Sequence, residues 1–274
     1  MQKKIACIND ISGIGKCSLT VALPIISALK CQCCPLPTSV LSSQTGYPEY
    51  TFVDLTDSMK KYIETWNSLG KNFDTIYSGF LGSLEQIKSV EYLIKINPSS
   101  FVIVDPILGD LGEIFPIFSQ EDVEEMKKLV RMANMITPNL TEANLLLGKK
   151  ADEKYTSDNS LYEICKELSK LGPETVIITG YIEGDTIYNV CYNSTNEEFF
   201  KVGNFYNKQS FSGTGDIFTS IVSGLITRGF ELKKAVTVAT DFIKKAVEYT
   251  SKLDSFDRND GIMFELFLSD LTSI

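Results

Sequence analysis

The sequence predicts an α/β fold: a three-layer α/β/α sandwich around a mostly parallel central sheet, with an antiparallel hairpin at one edge. Three observations carry that reading. Short apolar, β-rich runs alternate with longer amphipathic ones along the chain. The polar, Gly-rich or Pro-rich breaks follow the β-like runs rather than precede them. Beyond Gly184 the alternation gives way to two neighbouring β-like runs joined by a short polar turn.

The elements follow in order. KIACIN, ending at Asn9, reads as a strand, and Cys17–Leu29 as a helix with an irregularity at Pro24. Leu36–Leu41 is strand-like and Phe52–Leu69 helical. Asp74–Phe80, Phe101–Pro106 and Thr175–Gly180 are short apolar runs ending in Gly, Pro or an aromatic just past one. Helical patterns at Leu84–Ile96 and Glu121–Asn134 separate them, as crossovers between parallel strands require. A short strand ends at Thr137-Pro138-Asn139, and the helix after it carries Glu142. DTIYNVCYN and EEFFKVG, joined around STNE, form the hairpin, and two consecutive helices over Asp216–Phe230 and Leu232–Lys252 follow. No linker, low-complexity stretch or internal repeat interrupts the 274 residues, so a single domain over 1–274 is expected.

Composition narrows the function. With 43% hydrophobic and 22% charged residues the chain reads as a soluble globular protein. A net charge of −9 argues against nucleic acid or an anionic membrane as partner. No apolar run reaches membrane-spanning length, and the start carries no signal pattern. Seven cysteines, an odd number, suit a reducing cytoplasm better than a disulfide framework. The Cys31, Cys33 and Cys34 cluster lacks the second ligand pair or histidines of a zinc site, and reads as buried or adventitious thiols. The chain has no histidine, which removes histidine-based triads and acid–base catalysis.

Candidate chemistry lies in the breaks after the strands, where open α/β sheets bind ligands. They hold Asn9-Asp10-Ile11-Ser12-Gly13, Ser42 to Gly46, Ser78-Gly79-Phe80, Asp105-Pro106, Gly109-Asp110 and Thr137-Pro138-Asn139. SGIGKCS is not a Walker loop, because Asp10 occupies the required glycine and Cys17 follows the lysine. It is either a structural turn or one that lets backbone approach a substrate. Asp105 and Asp110 are turn formers or carboxylates that hold magnesium through water. Asn139 and Glu142 either cap a helix or orient metal-bound water near phosphates. Gly213-Thr214-Gly215-Asp216 opens a helix with exposed N–H groups, an arrangement that favours an anion. Asp216 stands beside it as a carboxylate that ionises near pH 4 when unperturbed, about 3.9. Phosphoryl transfer tolerates so weak a base, since its loose transition state needs mainly positioning and charge neutralisation.

The ordered set resembles the ribokinase-like superfamily, and within it the pyridoxal/pyridoxamine (vitamin B6) kinases. Asp10-x-Ser12-Gly13, Ser43 to Tyr47, Asp105-Pro106, Gly109-Asp110, Thr137-Pro138-Asn139-x-x-Glu142, Thr179-Gly180 and Gly213 to Asp216 carry it, over about residues 3 to 250. The resemblance implies ATP-dependent phosphorylation of the 5′-hydroxymethyl group of a B6 vitamer. It implies Asp216 as base and the amides of Gly213, Thr214 and Gly215 as anion hole. Asp105, Asn139 and Glu142 would serve the phosphates and magnesium, with Asp110 near a cation, which allows for a monovalent ion as well. Thr179, Gly180 and Thr214 would meet the nucleotide. Asp10, Ser12, Thr45 and Phe80 would line the vitamer pocket, and the assembly would be a homodimer. Two vitamer-side positions depart from the pattern: Gln44 replaces a frequent histidine and Phe80 a frequent tyrosine. The hydroxymethylpyrimidine kinases share the Asp-x-Ser-Gly opening and the Gly-Thr-Gly-Asp signature and form the alternative. SSQTGY and VDLTDSM favour the B6 branch. The intact Asp216 and glycines speak against a non-catalytic vitamin-binding protein.

Overall fold

The computed structural model describes every residue, Met1–Ile274. The chain runs β1 (Lys4–Ser12), α1 (Ser18–Ala28), β2 (Gln32–Leu41), β3 (Phe52–Asp54), α2 (Thr56–Ser68), β4 (Thr75–Ser78) and α3 (Leu84–Ile96). It continues through β5 (Phe101–Val104), β6 (Gly109–Asp110), β7 (Glu113–Ile114), α4 (Gln120–Val130), β8 (Met135–Ile136), α5 (Leu140–Leu146) and α6 (Asp158–Ser169). β9 (Thr175–Glu183), β10 (Thr186–Asn193), β11 (Glu198–Phe205), α7 (Thr214–Thr227), α8 (Leu232–Thr250) and α9 (Leu268–Thr272) complete it.

Nine strands form one sheet in the order β11-β10-β9-β8-β5-β4-β1-β2-β3, and β6-β7 make a separate short ribbon. From β9 to β2 every neighbour pair is parallel. The central strands read as near-continuous apolar runs because helices cover both faces. Alternate residues serve opposite cores, as the pleat demands. Ala6 and Ile8 of β1, Val102 and Val104 of β5, and Val176 and Ile178 of β9 join a core of 32 buried residues built with α2 to α6. Ile5 and Cys7 of β1, Ile103 of β5 and Ile177 of β9 belong to a core of 28 buried residues on the opposite face, under α1, α7, α8 and α9. The expected three layers and the hairpin β10-β11 at one edge are present.

The structure departs from the sequence reading at several elements. Phe52–Asp54 is not the first turn of a helix but an edge strand, antiparallel to the end of β2. A carboxylate oxygen of Asp54 accepts the Thr56 N–H at 2.7 Å, which ends the strand and starts α2. β9 does not stop at Gly180. Ile178 and Tyr181 pair with Val190 and Tyr188, so Thr179 and Gly180 face Asn189 alone and form a bulge. Gly180 takes φ +70° there, a conformation that suits glycine. The sequence reading also passes over α6, whose Leu161, Ile164, Cys165 and Leu168 pack on the sheet.

Polar side chains then set the loops at the carboxyl end. Buried Gln86 on α3 is the clearest. Its amide nitrogen donates to the Thr38 carbonyl at 3.0 Å and to Thr56 Oγ1 at 2.9 Å, while its oxygen accepts the Gly82 N–H at 2.7 Å. One side chain thus ties β2, α2 and the loop after β4. Gln86→Ala leaves those groups unpaired in the interior and is expected to cost about 2–4 kcal/mol, read as a lowered urea midpoint with an unchanged slope.

Candidate active site

The site is assembled where β1, β2, β4, β5 and β8 end, against the N-terminus of α7. Its position depends on one close approach. Gly213, the residue before α7, has φ +77°, and a Cβ placed on it would lie 1.7 Å from the Lys16 carbonyl oxygen. No other residue type fits there without moving the β1–α1 loop. This contact seats the first turn of α7 beside the end of β1.

The N–H groups of Gly213, Thr214, Gly215 and Asp216 donate to no protein acceptor, and the first helical bond runs from the Ile217 N–H to the Gly213 carbonyl. Four donors and the positive end of a 14-residue helix therefore face one spot. A Cβ at Gly215 would meet nothing within 4 Å, so nothing packs against the first turn of α7 at that position. The Thr214 hydroxyl turns back to the Phe211 carbonyl at 3.3 Å.

Asp216 is half-buried and oriented from two sides. Asn9 Nδ2 donates to its Oδ1 at 3.3 Å, and the Ser18 N–H at the start of α1 lies close enough to favour its charged form. Burial and the neighbouring Asp10 charge push its carboxyl up to about 6, against the pull of those donors. Asp10 accepts from the hydroxyls of Ser12 at 2.8 Å and Ser18 at 2.5 Å. Burial still raises it above the ordinary carboxylate range. Cys17, beside both acids, is pushed up to about 12 by burial and by the charges of Asp216 and Asp10, so it is a thiol rather than a nucleophilic thiolate.

A second group of carboxyls lies at β5 and α5. Asp105 is buried and pushed up to about 8, by desolvation and by the Asp216 charge, with Thr137 and Thr219 hydroxyls opposing. Thr219 reaches it from α7 at 3.5 Å and touches Thr137 at 3.2 Å. Glu142 and Asn139 form a reciprocal cap: Glu142 Oε2 accepts the Asn139 N–H at 2.8 Å, and Asn139 Oδ1 accepts the Glu142 N–H at 3.0 Å. The pair also grips the β5–β6 turn, through the Leu108 N–H to Glu142 at 3.3 Å and Asn139 Nδ2 to the Gly109 carbonyl at 2.9 Å. Burial, then Asp105, holds Glu142 well above the ordinary range. Thr179 bridges to Asn139 across the sheet, and its N–H donates to the Pro138 carbonyl at 2.9 Å.

The structure thus brings Asp10, Ser12, Asp216, Asp105, Asn139, Glu142 and the Gly213–Gly215 turn into one contact chain. Phe80 joins it through its N–H, which donates to Asn9 Oδ1 at 2.9 Å, and its ring lies 6.2 Å from Phe118. Asp110 and Thr45 stay exposed, and Asp110 caps the Leu111 N–H. Asp105, Asp110 and Glu142 do not gather into a ready-made ligand cage, since no three acidic or cysteine side chains cluster as metal ligands. Asp10, Asp105, Glu142 and Asp216 nevertheless share this end of the sheet with no lysine or arginine paired to any of them. Uncompensated acids of this kind fit a cation arriving with a phosphate ligand, which completes its coordination.

Sequence reasoning gave no role to three contributors. Asn9 enters only as part of the break after the first strand, and its polarity amid apolar neighbours is the one local signal. Thr219 is hidden in an apolar helix. Residues 257–261 carry no motif, yet they pack on the second loop: Gln44 Nε2 donates to the Asn259 carbonyl and Oδ1, each at 3.3 Å, and the Tyr47 hydroxyl binds Asp260. Gln44 also accepts the Gly46 N–H at 2.7 Å, so its amide is committed to the loop itself.

A model of the phosphomethylpyrimidine kinase family matches residues 23–259. A Bacteroides thetaiotaomicron protein, provisionally assigned as a phosphomethylpyrimidine kinase and crystallised with pyridoxal, is 41% identical. It superposes with a TM-score of 0.94 over 99% of this chain and 96% of that one. Pyridoxal kinase from Lactobacillus plantarum is 28% identical, with a TM-score of 0.91 over 100% and 98% of the two chains. Pyridoxine kinase from Bacillus subtilis is 26% identical over 203 residues, 73% of either chain. Fold and likeness together define a phosphotransferase of the ribokinase-like superfamily. The chain belongs to the phosphomethylpyrimidine kinase family.

The raised acids have a cost whose sign is fixed. Asp105 ionises at about 8 when folded and near 3.9 when unfolded. Its favourable contribution is complete below the unfolded value and is lost as pH rises through the folded one. Asp105→Asn is expected to raise Tm by several degrees at pH 8.5 in metal-free buffer and to match the parent near pH 4. Scanning calorimetry across that range checks it.

Proposed function

We propose that the protein phosphorylates the 5′-hydroxymethyl group of a vitamin B6 vitamer with ATP, releasing ADP. The observation that carries the reading is Asp216, an acid held by Asn9 and Ser18 beside four unpaired N–H groups at a helix start. With a folded value of about 6, Asp216 is mostly ionised at neutral pH and accepts a proton. The vitamer hydroxyl gives its proton to Asp216 as its oxygen bonds to the γ-phosphorus and the bond to the ADP oxygen breaks. The amides of Gly213, Thr214 and Gly215 stabilise the charge spread over the transferring group. Asp10, with Ser12 and Ser18 fixing its carboxylate, holds a polar edge of the ring, and Thr45 and Phe80 flank it. Thr179, Gly180 and Thr214 face the nucleotide. Asp105, Asn139 and Glu142, with Asp110 at the rim, would hold magnesium, which would supply positive charge against the phosphates. The same resemblance extends to a monovalent cation near Asp110, to one kinase domain over 1–274, and to a cytoplasmic homodimer.

The pyridoxal in the 41%-identical relative supports a B6 substrate. The family model and a 27%-identical hydroxymethylpyrimidine/phosphomethylpyrimidine kinase from Aquifex aeolicus favour the second reading, a pyrimidine precursor. ADP release measured with pyridoxal, pyridoxamine, pyridoxine and hydroxymethylpyrimidine separates them. The highest kcat/KM is expected with a B6 vitamer; turnover confined to the pyrimidine overturns that choice. Asp216→Asn is expected to keep ATP binding, measured by calorimetry, and to lose at least about a hundredfold in kcat. A rate near the parent's removes the base assignment.

A further inference from the structure

Asn9 is fully buried at the end of β1, and its amide is held in one orientation. Its oxygen accepts two backbone N–H groups, from Asp10 at 3.1 Å and Phe80 at 2.9 Å. Those donors belong to the loops after β1 and β4. A carbonyl oxygen satisfies them and an NH2 does not, so the flipped amide is excluded. Nδ2 is thereby forced toward Asp216 Oδ1, at 3.3 Å. Gly79 leaves the side chain its place: a Cβ there would fall 2.3 Å from Nδ2. The titratable groups around the Asp216 carboxylate are Asp10 and Cys7 from β1, Cys17 before α1, Tyr77 from β4 and Asp105 after β5. None of them is a cation, so Asn9 supplies the side-chain donor that points one carboxylate oxygen inward and leaves the other to the substrate side.

We propose that Asn9 is a positioning residue for the transfer, setting the direction of the Asp216 carboxylate through a donor whose orientation the Asp10 and Phe80 amides dictate. The inference rests on Asp216 acting as the base. Asn9→Asp separates it from mere bracing of the loops. Aspartate keeps an oxygen for both backbone N–H groups and replaces only the donor that faces Asp216, with a repelling oxygen.

The expected result is a kcat lowered about tenfold or more, the scale of a lost charge-assisted hydrogen bond, with both KM values within about threefold of the parent. A kcat within about twofold of the parent overturns the proposal, because bracing alone then accounts for Asn9. Should Asn9→Asp not fold, Asn9→Ala is compared in the parent and in the Asp216→Asn protein, using single turnovers with labelled ATP. A large cost in the parent and almost none beside Asp216→Asn supports coupling; equal costs in both backgrounds overturn it. If Asp216→Asn alone retains the parent's rate, it is the base assignment that fails, and the two failures stay distinct.

Discussion

Everything at the carboxyl end of the sheet is registered by the packing of one α-carbon against one carbonyl oxygen, Gly213 against Lys16. A bulkier residue would hold α7 off the β1–α1 loop. With that gap the Ser18 and Asn9 donors would no longer reach Asp216, and the free amides would point elsewhere. The left-handed turn at Gly213 also sets where the helix begins. A backbone constraint, rather than an interaction between side chains, thus fixes the geometry from which the chemistry follows.

Around this seat the electrostatics are one-sided. Acids cluster without a basic partner, and each is held by hydroxyls, amides or backbone N–H groups instead. Such donors orient a carboxylate without neutralising it. The acids therefore stay without a basic partner inside the protein, and their burial carries an electrostatic cost. The raised values of Asp105, Glu142 and Asp216 record that cost.

Much of this was legible in the sequence, for physical reasons. Short, near-continuous apolar runs with polar, glycine- or proline-rich endings located the parallel strands, because helices bury both faces of those strands. The Gly213 to Asp216 signature located the helix start, since its backbone requirements restrict residue type. What escaped were features set by partners distant in the chain. Phe52–Asp54 is a strand only because β2 offers an edge. The Thr179-Gly180 bulge exists only against β10. Asn9 and Thr219 sit within regular elements, where nothing local separates a functional polar side chain from a tolerated one. Asp110 and Thr45, both motif residues, lie exposed, and the Asp110 carboxylate accepts only the neighbouring Leu111 N–H.

The Asn9–Asp216 hydrogen bond joins residues 207 positions apart. Its consequence lies in biogenesis. On the ribosome β1 is made long before α7, so Asn9 has no Asp216 to meet until most of the chain has been synthesised. Docking α7 brings Asp216 to Asn9 across 207 residues and closes a long loop, which carries an entropic cost. A chain that stops before α7 lacks Asp216 and the Gly213–Gly215 turn, so the two halves of the site meet only once α7 has been made.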